Sequence, residues 1–600
     1  MADVFHGKIC GLHADTDGSI YIAEAAQDGS RQERAERFAP FIWTSAAANA
    51  PAQTLQRLAP PPPQARVYAP LDTIAAFETS EALDEYLKTR PKALPIFKLT
   101  SVENQFLCAA NARMFADMRF GDIRRMQLDI EVSSEGELFP DANKPNDRII
   151  AVGVSGCGGA RIFELETFDD DGERRLLQGL QAHILRADPD FIEGHNIFKF
   201  DLPYISARCK KLKLKLGWGR FGKDAKFRRS RINIAERTVN YVRCDIPGRT
   251  VVDTLFLVQF YDVSAREMAA YTLKYSAVHF GISSPENRTY IDGAKIKDIF
   301  KTDRETFRKY LLDDLRETAG IAEYLLPTYV AQAQNFPMSM QECLLRGNGM
   351  KVESVFVQKY FAARAALPMP QDGSMFQGAL SEGFETGLFK NVLHYDVASL
   401  YPSLMLVIGK CPRNDYLQTF LTELAALREY RLKYKKLARQ ADNPADKREF
   451  DARQKSFKIL INSFYGYLGL PTAIFSDTDL AGEITAKGRE LLQKLIDAFR
   501  DLGCTVLEAD TDGIYVSSQK YFDAPEALLD EVLHVLPKGV DLDFDGAYDA
   551  MLCYKAKNYA LLERGKTILR GSAFRNRATE PFLQKLTTTM IADILLERDD

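Results

Sequence analysis

The stretch TVLEADTDGIYVSS at residues 505–518 decides the fold of the second half of this chain. Apolar runs flank the acidic triplet Asp510-Thr511-Asp512, and this pattern predicts two strands joined by a tight turn with acids at its tip. An ionised carboxylate beside apolar strands is costly to desolvate unless a cation or hydrogen bonds compensate it. The triplet alone is also compatible with a simple exposed turn.

A second acidic motif lies earlier in the chain, in HYDVASLYPSLM at residues 394–405. The apolar run 392–397 predicts a short strand, and if this strand lies beside the hairpin, Asp396, Asp510 and Asp512 converge. Oxygen-only ligands suit Mg2+ or Mn2+, and two such ions about 3.5–4 Å apart are the usual device for in-line phosphoryl transfer. The two motifs therefore predict a shared cation site.

A third set of acids lies in the first half of the chain. In the predicted strand QLDIEV, residues 127–132, Asp129 and Glu131 point to one face. Asp201 ends an apolar stretch, and Tyr310 and Asp314 share one face of a predicted helix. Four carboxylates with a phenol that orients the attacking water predict a two-metal nuclease. Asp314 taken alone is also compatible with a plain surface position.

Composition and length set the broad class. The chain has 600 residues, more than one hydrophobic core usually serves, so several domains are expected. Its nine cysteines show no CxxC spacing, which argues against zinc, iron–sulfur clusters and a disulfide framework, and favours a reducing compartment. Without a bilayer-length apolar run or a signal peptide, we expect an intracellular protein with no membrane association: cytoplasmic and nucleoid-associated, or virally encoded, and not secreted.

Charge gives only local indications of nucleic-acid binding. The formal net charge is −4, so any such binding must rest on local basic surfaces. Two basic segments are candidates, residues 208–231, where Trp218 and two phenylalanines interleave with Lys and Arg, and residues 428–458 on helical sequence. A charge run is usually a solvated face, and that interpretation stays open for both segments.

Taken in order, these motifs resemble those of the family B DNA polymerases, which join a proofreading exonuclease of ribonuclease H-like fold to a right-hand polymerase. LDIEV, HNIFKFDLPYI and YLLDD are similar to the three exonuclease motifs of that family, and DVASLYPS, KILINSFYG and DTD to its three polymerase motifs. The resemblance covers nearly the whole chain. It implies a template-directed DNA polymerase with 3′→5′ proofreading and two Mg2+ ions, or Mn2+, in each active site. The metal ligands it implies are Asp396, Val397 through its carbonyl, Asp510, Asp512, Asp129, Glu131, Asp201 and Asp314.

The resemblance also implies how the nucleotide is held. Backbone N–H groups of Ser399 and Leu400 would cradle the triphosphate. Tyr401 would lie under the incoming sugar and exclude a 2′-hydroxyl, although a packing role also explains a tyrosine there. A helical hairpin turning at Asn443-Pro444 would supply the remaining nucleotide-binding residues: Arg431, Lys435, Lys458, Asn462 and Tyr465. Arg428 could replace Arg431 in another helical register.

Two segments near the end resemble regions of the family that contact the primer–template duplex. In YKAKNY, residues 554–559, Ala556 stands where a second lysine is common, so only Lys557 and Tyr559 are candidates. In RGSAFRNR, residues 570–577, Arg575 is the candidate. Contacts of this kind position the duplex without reading its sequence.

The implied fold is multidomain, α/β and α+β: an N-terminal mixed domain, a ribonuclease H-like exonuclease domain, and a right-hand polymerase with palm and helical-hairpin fingers. The predicted boundaries are residues 1–115 with a return segment at about 327–370 for the N-terminal domain, 116–326 for the exonuclease, 371–420 and 471–577 for the palm, 421–470 for the fingers, and 578–600 for the start of the thumb. Family members usually continue further as a helical thumb, so we expect a truncated or vestigial thumb, weak duplex affinity and short synthesis runs. Residues 397–457 leave no room for the insertion of protein-primed members, which favours a nucleic-acid primer.

The expected partners are primer–template DNA, deoxynucleoside triphosphates and a single-stranded primer end in the exonuclease site. A clamp or other replication proteins are further candidates, and both DNA replication and DNA repair are compatible roles. Two other functions stay open: a nuclease whose polymerase half is inactive, and a noncatalytic scaffold. Retention of every acid in both sites argues against the scaffold.

Overall fold

The computed structural model describes residues 7–46, 50–134, 139–235, 237–265, 268–575 and 579–597. The chain forms two compact units. The first comprises Met1–Pro61, Ala69–Leu367 and Tyr430–Phe457, and the second comprises Pro62–Tyr68, Pro368–Glu429 and Lys458–Asp600. Within the described residues, no helix combines the length and the hydropathy needed to cross a bilayer.

Two antiparallel sheets open the first unit. The first is a meander of β1 (Ile9–Ala14), β2 (Ser19–Ala25) and β3 (Arg31–Arg37). The second has the order β5-β6-β4-β7, formed by β4 (Phe41–Thr44), β5 (Thr54–Arg57), β6 (Thr73–Ala76) and β7 (Ile96–Phe97). Helix α1 (Ser80–Thr89) buries Leu83 and Tyr86 against this sheet, and α2 (Val102–Ala109) follows.

A five-stranded sheet of order β10-β9-β8-β11-β14 forms the centre of the rest of this unit. Its strands are β8 (Arg125–Val132), β9 (Ile149–Gly156), β10 (Arg161–Glu164), β11 (Phe191–Gly194) and β14 (Thr250–Asp253). Strands β8, β9 and β10 are antiparallel neighbours, whereas β11 pairs in parallel with both β8 and β14. The whole of β11 and of β14 is buried, as expected for parallel strands covered on both faces.

Helices and one hairpin complete the first unit. The hairpin consists of β12 (Lys226–Ile234) and β13 (Arg237–Asp245). The helices are α3 (Asp170–Ala187), α4 (Asp201–Lys211), α5 (Thr254–Ala265), α6 (Leu273–His279), α7 (Ile296–Thr302), α8 (Arg304–Ala333), α9 (Met340–Leu345) and α10 (Asn348–Ala362). Helix α8 lies directly on the sheet at Gly153, where a Cβ would come within 2.8 Å of Leu311. This close approach brings the helix over β8.

The second unit is built on a seven-stranded antiparallel sheet of order β15-β17-β18-β16-β19-β20-β21. Its strands are β15 (Ser381–Gly383), β16 (Gly387–Val397), β17 (Thr505–Asp510), β18 (Gly513–Ser517), β19 (Leu542–Lys555), β20 (Asn558–Glu563) and β21 (Lys566–Arg570). The predicted hairpin at 505–518 and the predicted strand at 392–397 are confirmed, and β16 begins five residues earlier, at Gly387.

Helices cover this sheet: α11 (Leu400–Ile408), α14 (Thr478–Asp501), α15 (Pro525–Val532) and α16 (Pro581–Leu595). Helix α15 lies between strands β18 and β19 in the chain. The predicted helical hairpin is confirmed as α12 (Thr419–Gln440) and α13 (Pro444–Leu468), and its turn falls at Asn443-Pro444. Helix α16 packs Ile591 and Leu595 against β19 and β20.

Candidate functional site

A carboxylate cluster in the first unit forms the first candidate site. Strand β8 carries Asp129 and Glu131, and the central part of α8 carries Asp314. One ligand oxygen from each of these three side chains lies within 4.8 Å of the others. Asp314 is only 6% exposed, so the alternative of a plain surface position is wrong.

Asp201 completes the predicted set of four acids. It is the first residue of α4, is 2% exposed, and accepts a hydrogen bond from the Ile130 backbone N–H at 3.2 Å. That bond ties it to β8 between Asp129 and Glu131. The structure therefore brings together all four carboxylates that the sequence singled out in this half of the chain.

Burial and mutual repulsion raise the pKa values of the carboxylates in this cluster. Burial, followed by the neighbouring Asp314 and Asp201, raises the pKa of Glu131 to about 8. Burial raises the pKa of Asp201 to about 7, and burial together with Asp201 and Glu131 raises the pKa of Asp129 well above its usual range. Divalent cations would compensate these charges, so the donor set fits a metal centre.

Tyr310 lies at the edge of this cluster, one turn before Asp314 on α8. Its hydroxyl hydrogen-bonds Asp314, and burial raises its pKa, so it stays a neutral phenol. The predicted placement of this phenol beside the carboxylates is confirmed.

Two cations beside the cluster were missed by sequence reasoning. Arg288 forms an ion pair with Asp314 and lies 3.1 Å from Glu317, which is fully buried. Lys274 Nζ lies 3.5 Å from the Tyr310 hydroxyl and 4.9 Å from the centre of its ring. Both residues lie in loops or short helices without a motif of their own, so the sequence offered no signal for them.

The second candidate site lies at the ends of β16 and the β17–β18 hairpin in the second unit. Asp396 stands opposite Gly513 of β18 and opposite Asp543 of β19. The Val397 N–H donates a hydrogen bond of 2.8 Å to the Asp512 carbonyl, which locks the strand end to the hairpin turn. The predicted convergence of Asp396 with the acidic triplet is confirmed.

The turn itself separates the roles of its two acids. Thr511 has φ of +61°, and the Asp512 N–H donates to the Asp510 carbonyl at 2.7 Å, so the turn is unusually tight. The Asp510 carboxylate forms an ion pair of 2.8 Å with Lys557 Nζ. Burial, followed by repulsion from Asp510, raises the pKa of Asp512. Asp510 thus already has a cationic partner within the protein.

Asp396 is close enough to Asp512 for the two carboxylates to repel each other. Burial, followed by Asp512, raises the pKa of Asp396 to about 6, while His394 and Lys458 act in the opposite direction. Lys458 on α13 acts in the same way on Asp512. Lys458, which the family resemblance implies as a nucleotide-binding residue, therefore lies within electrostatic reach of both acids.

Residues of β16 and β19 extend this site beyond the prediction. Asp543 is exposed and lies on the same sheet face as Asp396, because directly opposed residues of antiparallel strands share a face. His394 Nδ1 lies 3.1 Å from Asp545, and the His394 ring stacks on Tyr515 with centroids 4.1 Å apart. The alternating acids in VDLDFDG were the signal that sequence reasoning overlooked.

Two predicted nucleotide-binding tyrosines form a stack. The rings of Tyr401 on α11 and Tyr465 on α13 lie 4.2 Å apart at 27°. Ser399, with φ of +51°, precedes α11, and Leu400 is the first residue of that helix. The first N–H groups of a helix lack partners within it, which suits an anionic ligand.

The remaining predicted residues lie on the hairpin and the last strands. Lys458 and Asn462 are exposed on α13, while Arg431 and Lys435 lie one turn apart on α12, in the part that belongs to the first unit. Arg428, the alternative to Arg431, donates to the Gly539 carbonyl at 3.5 Å.

The predicted duplex-binding residues have internal contacts. Lys557 pairs with Asp510, and the Tyr559 hydroxyl hydrogen-bonds that of Tyr515 at 3.2 Å. The Arg575 N–H donates to the Gly571 carbonyl, and residues 576 and 577 of the same predicted segment lie outside the described residues.

The basic segment 208–231 is only partly a surface. Arg208 is fully buried and pairs with Glu173, Arg220 is buried against Asp188, and Trp218 is 1% exposed. For these three residues the prediction of a basic surface is wrong, because their long side chains satisfy buried acids or fill the core. The exposed basic members of the segment are Lys210, Lys211, Lys213, Lys215, Lys226, Arg228, Arg229 and Arg231.

Known proteins are similar to this chain in both of its halves. The chain matches the model of the DNA polymerase family B exonuclease domain over residues 98–275 and the model of DNA polymerase family B over residues 416–599. It is 27% identical over 515 residues to DNA polymerase 2 of Aeropyrum pernix, covering 79% of this chain and 60% of that relative. It is 26% identical over 492 residues to DNA polymerase 1 of Pyrococcus abyssi, covering 74% and 61%. The chain thus spans about three fifths of the length of these curated relatives.

Solved structures support the same fold. The chain is similar to the family B DNA polymerase from the hyperthermophilic archaeon Pyrobaculum calidifontis, with a TM-score of 0.74 and 20% identity. That likeness covers 98% of this chain and 86% of the other. The fold class predicted from the motifs is confirmed.

Proposed function

This chain belongs to the family B DNA polymerases, and on that premise we propose that it extends a nucleic-acid primer on a DNA template and removes 3′-terminal nucleotides at a separate site. The observation that carries the proposal is the presence of two distinct carboxylate sites in one chain. One lies on β8, α4 and α8 of the first unit, and the other at the β16 and β17–β18 strand ends of the second.

Family B DNA polymerases are metal-dependent, and we propose Mg2+ for both sites, with Mn2+ as a substitute. Asp396 and Asp512 would hold the ions of the second site, together with the Val397 carbonyl and Asp510. Asp129, Glu131, Asp201 and Asp314 would hold those of the first. Bound there, divalent cations lower the pKa of the attacking oxygen and neutralise charge on the leaving group.

In the polymerase site, this chain's own residues orient the nucleotide. Lys458 lies near Asp396 and Asp512, so its ammonium meets the triphosphate where these acids hold the reacting end. The N–H groups of Ser399 and Leu400 at the start of α11 add hydrogen-bond donors. Arg431, Lys435 and Asn462 are the further candidates on the hairpin, and its closure over a correct pair would be the selectivity step.

Sugar and base selection rest on the tyrosine stack. Tyr401 would lie under the incoming sugar and leave no room for a 2′-hydroxyl. Tyr465, stacked on it at 4.2 Å, would form part of the pocket for the nascent base pair. Lys557, Tyr559 and Arg575 are the candidates for contacts to the primer–template duplex.

In the exonuclease site, Tyr310 orients the attacking water. Its pKa is raised by burial, so its hydroxyl remains protonated and donates its one hydrogen to Asp314, while the phenol oxygen can accept a hydrogen bond from that water. The acids of this site would hold the divalent cations, and those cations would bind the phosphates of a single-stranded primer end. Separation of the two sites lets a mispaired end be removed before extension resumes.

The domain assignment follows the same reasoning. We assign residues 116–326 to the exonuclease, 371–420 and 471–577 to the palm, 421–470 to the fingers and 578–600 to the start of the thumb, with residues 1–115 and about 327–370 as the N-terminal domain. The five-stranded sheet of the first unit and the seven-stranded sheet of the second support the exonuclease and palm assignments.

A primer-extension gel tests the proposal. The protein is incubated with a labelled primer–template and Mg2+, with and without deoxynucleotides. We expect extension with nucleotides and shortening without them, and EDTA should abolish both. Shortening alone would favour a nuclease. The absence of both extension and shortening would contradict both assignments.

Single substitutions separate the two sites. Asp396→Ala should abolish extension and spare shortening, and Asp129→Ala should do the opposite. The matched controls are Asp530→Ala on α15 and Asp171→Ala on α3, both exposed helical acids, which should change neither activity. Loss of both activities in either active-site variant, with normal folding, would sink the two-site assignment.

A further inference from the structure

Gly488 is a glycine in the middle of a long helix, where this residue normally weakens the helix. It lies eleven residues into α14 (Thr478–Asp501) and is buried. A Cβ at this position would lie 3.2 Å from Tyr401 Cε1, closer than ordinary van der Waals contact. The missing side chain therefore creates the space that the edge of the Tyr401 ring occupies.

The same face of α14 holds the partner of Tyr401. Thr485, one turn before Gly488, hydrogen-bonds the side chain of Tyr465. Tyr465 stacks on Tyr401 with ring centroids 4.2 Å apart. Residues three apart on a helix are neighbours, so Thr485 and Gly488 both lie against the stacked rings of Tyr401 and Tyr465.

The neighbours of Tyr401 also define a direction. The Cε1 edge of its ring faces α14 at Gly488. Side-chain atoms of Leu400 and Leu404 also lie next to the position that a Gly488 Cβ would occupy. Burial and Tyr465, and then Asp512 and Asp510, raise the pKa of Tyr401, so both acids lie within electrostatic reach of its hydroxyl. Any atom added at Gly488 would push the ring away from α14.

We propose that Gly488 is a specificity-determining position that sets how far the Tyr401 ring stands from the incoming nucleotide, and thereby how strongly a 2′-hydroxyl is rejected. The proposal rests on the polymerase function proposed above. Gly488 acts through Tyr401 and is a positioning residue. The sugar discrimination of this enzyme is then a property of Tyr401 together with the α14 face behind it.

The test compares single-nucleotide incorporation by the parent and by Gly488→Ala. Alanine favours helix formation, so the variant should fold. We expect the ratio of kcat/KM for a deoxynucleotide to that for the matching ribonucleotide to rise roughly three- to tenfold, because the displaced ring meets the 2′-hydroxyl earlier. A general structural defect would lower both values together and leave the ratio unchanged.

A double-mutant comparison and a matched control sharpen the test. In the Tyr401→Ala background, Gly488→Ala should leave the ratio unchanged, since the ring it displaces is gone. Gly482→Ala is the control on the same helix, because its Cβ would lie 3.1 Å from Phe376 and the three atoms nearest to it all belong to that residue, and its ratio should match the parent's. A ratio that stays level or falls in Gly488→Ala, or that still changes without Tyr401, would overturn the proposal.

Crystal structures of the parent and of Gly488→Ala give a readout that does not depend on activity. The Tyr401 ring should move a few tenths of an ångström away from α14, and an unmoved ring would also overturn the proposal. Failure of the parent to incorporate any nucleotide would count against the proposed polymerase function, while the ring position would still decide this inference.

Discussion

Replacement of Glu131 by glutamine should stabilise the metal-free protein at neutral pH. Burial and nearby acids raise the pKa of Glu131 from its ordinary 4.5 to about 8. Below pH 4.5 the side chain is protonated in both the folded and the unfolded state, and the raised pKa has no effect. As pH rises, the unfolded state loses the proton first, so the folded state loses stability until pH passes about 8.

The size of the destabilisation follows from the gap between the ordinary pKa of 4.5 and the raised pKa of about 8. Each pH unit between the two pKa values costs about 1.4 kcal/mol of unfolding free energy, so at pH 7 the parent is weakened by about 3 kcal/mol. Glu131→Gln removes that penalty while keeping the shape of the side chain. Its gain should be below about 1 kcal/mol at pH 5, and should grow to about 3 kcal/mol at pH 7.

Tryptophan fluorescence during denaturation measures the unfolding of the first structural unit, which contains Glu131. The chain has two tryptophans, Trp43 and Trp218, and both are buried in the first unit. Urea titrations in EDTA at pH 5, 6, 7 and 8 give the unfolding free energy of parent and variant. Glu33→Gln, an exposed position on β3, is the matched control and should stay within about 0.5 kcal/mol of the parent.

Mg2+ should reduce the gain in unfolding free energy that Glu131→Gln produces. On the proposed metal assignment, the parent should bind the ion through its intact carboxylate set and gain about 2.7 kcal/mol at a hundredfold excess over Kd, whereas the variant would lack one ligand. The gain of Glu131→Gln should therefore shrink or vanish in Mg2+. A variant no more stable than the parent in EDTA at pH 7, with a neutral Glu33→Gln control, would refute the reasoning.

Three further predictions concern single side chains. Arg208→Ala should lower the unfolding free energy of the first unit by about 3 kcal/mol in the same fluorescence assay, because the fully buried Glu173 carboxylate loses its two-nitrogen partner and keeps only Arg148 and the Ile149 N–H, whereas exposed Lys210→Ala should have little effect. Tyr310→Phe should slow single-turnover digestion of a single-stranded oligonucleotide by about 10²-fold or more and leave extension intact; equal digestion rates would exclude a role for its hydroxyl. Lys458→Ala should reduce nucleotide incorporation by about 10²-fold in rapid-quench kinetics without changing digestion, and an unaltered rate would show that its charge does not reach the triphosphate.

The sequence by itself determined the elements whose signals are local. The acidic hairpin at 505–518, the strand that carries Asp129 and Glu131, and the helix that pairs Tyr310 with Asp314 follow from alternation and helical spacing between near neighbours. The order of the motifs was sufficient to identify the family. It also indicated that Asp396 and the Asp510–Asp512 triplet belong to one site.

Only the tertiary structure decided which charges are already paired and which side chains set the shape of the sites. The contacts of Arg288 with Asp314, of Lys557 with Asp510 and of Tyr401 with Gly488 join residues on different elements, and no local pattern encodes them. Arg208 reads as part of a basic surface in the sequence, yet it lies buried against Glu173. The physical reason is that strand register and helix packing fix these neighbours, and both depend on how the whole core closes.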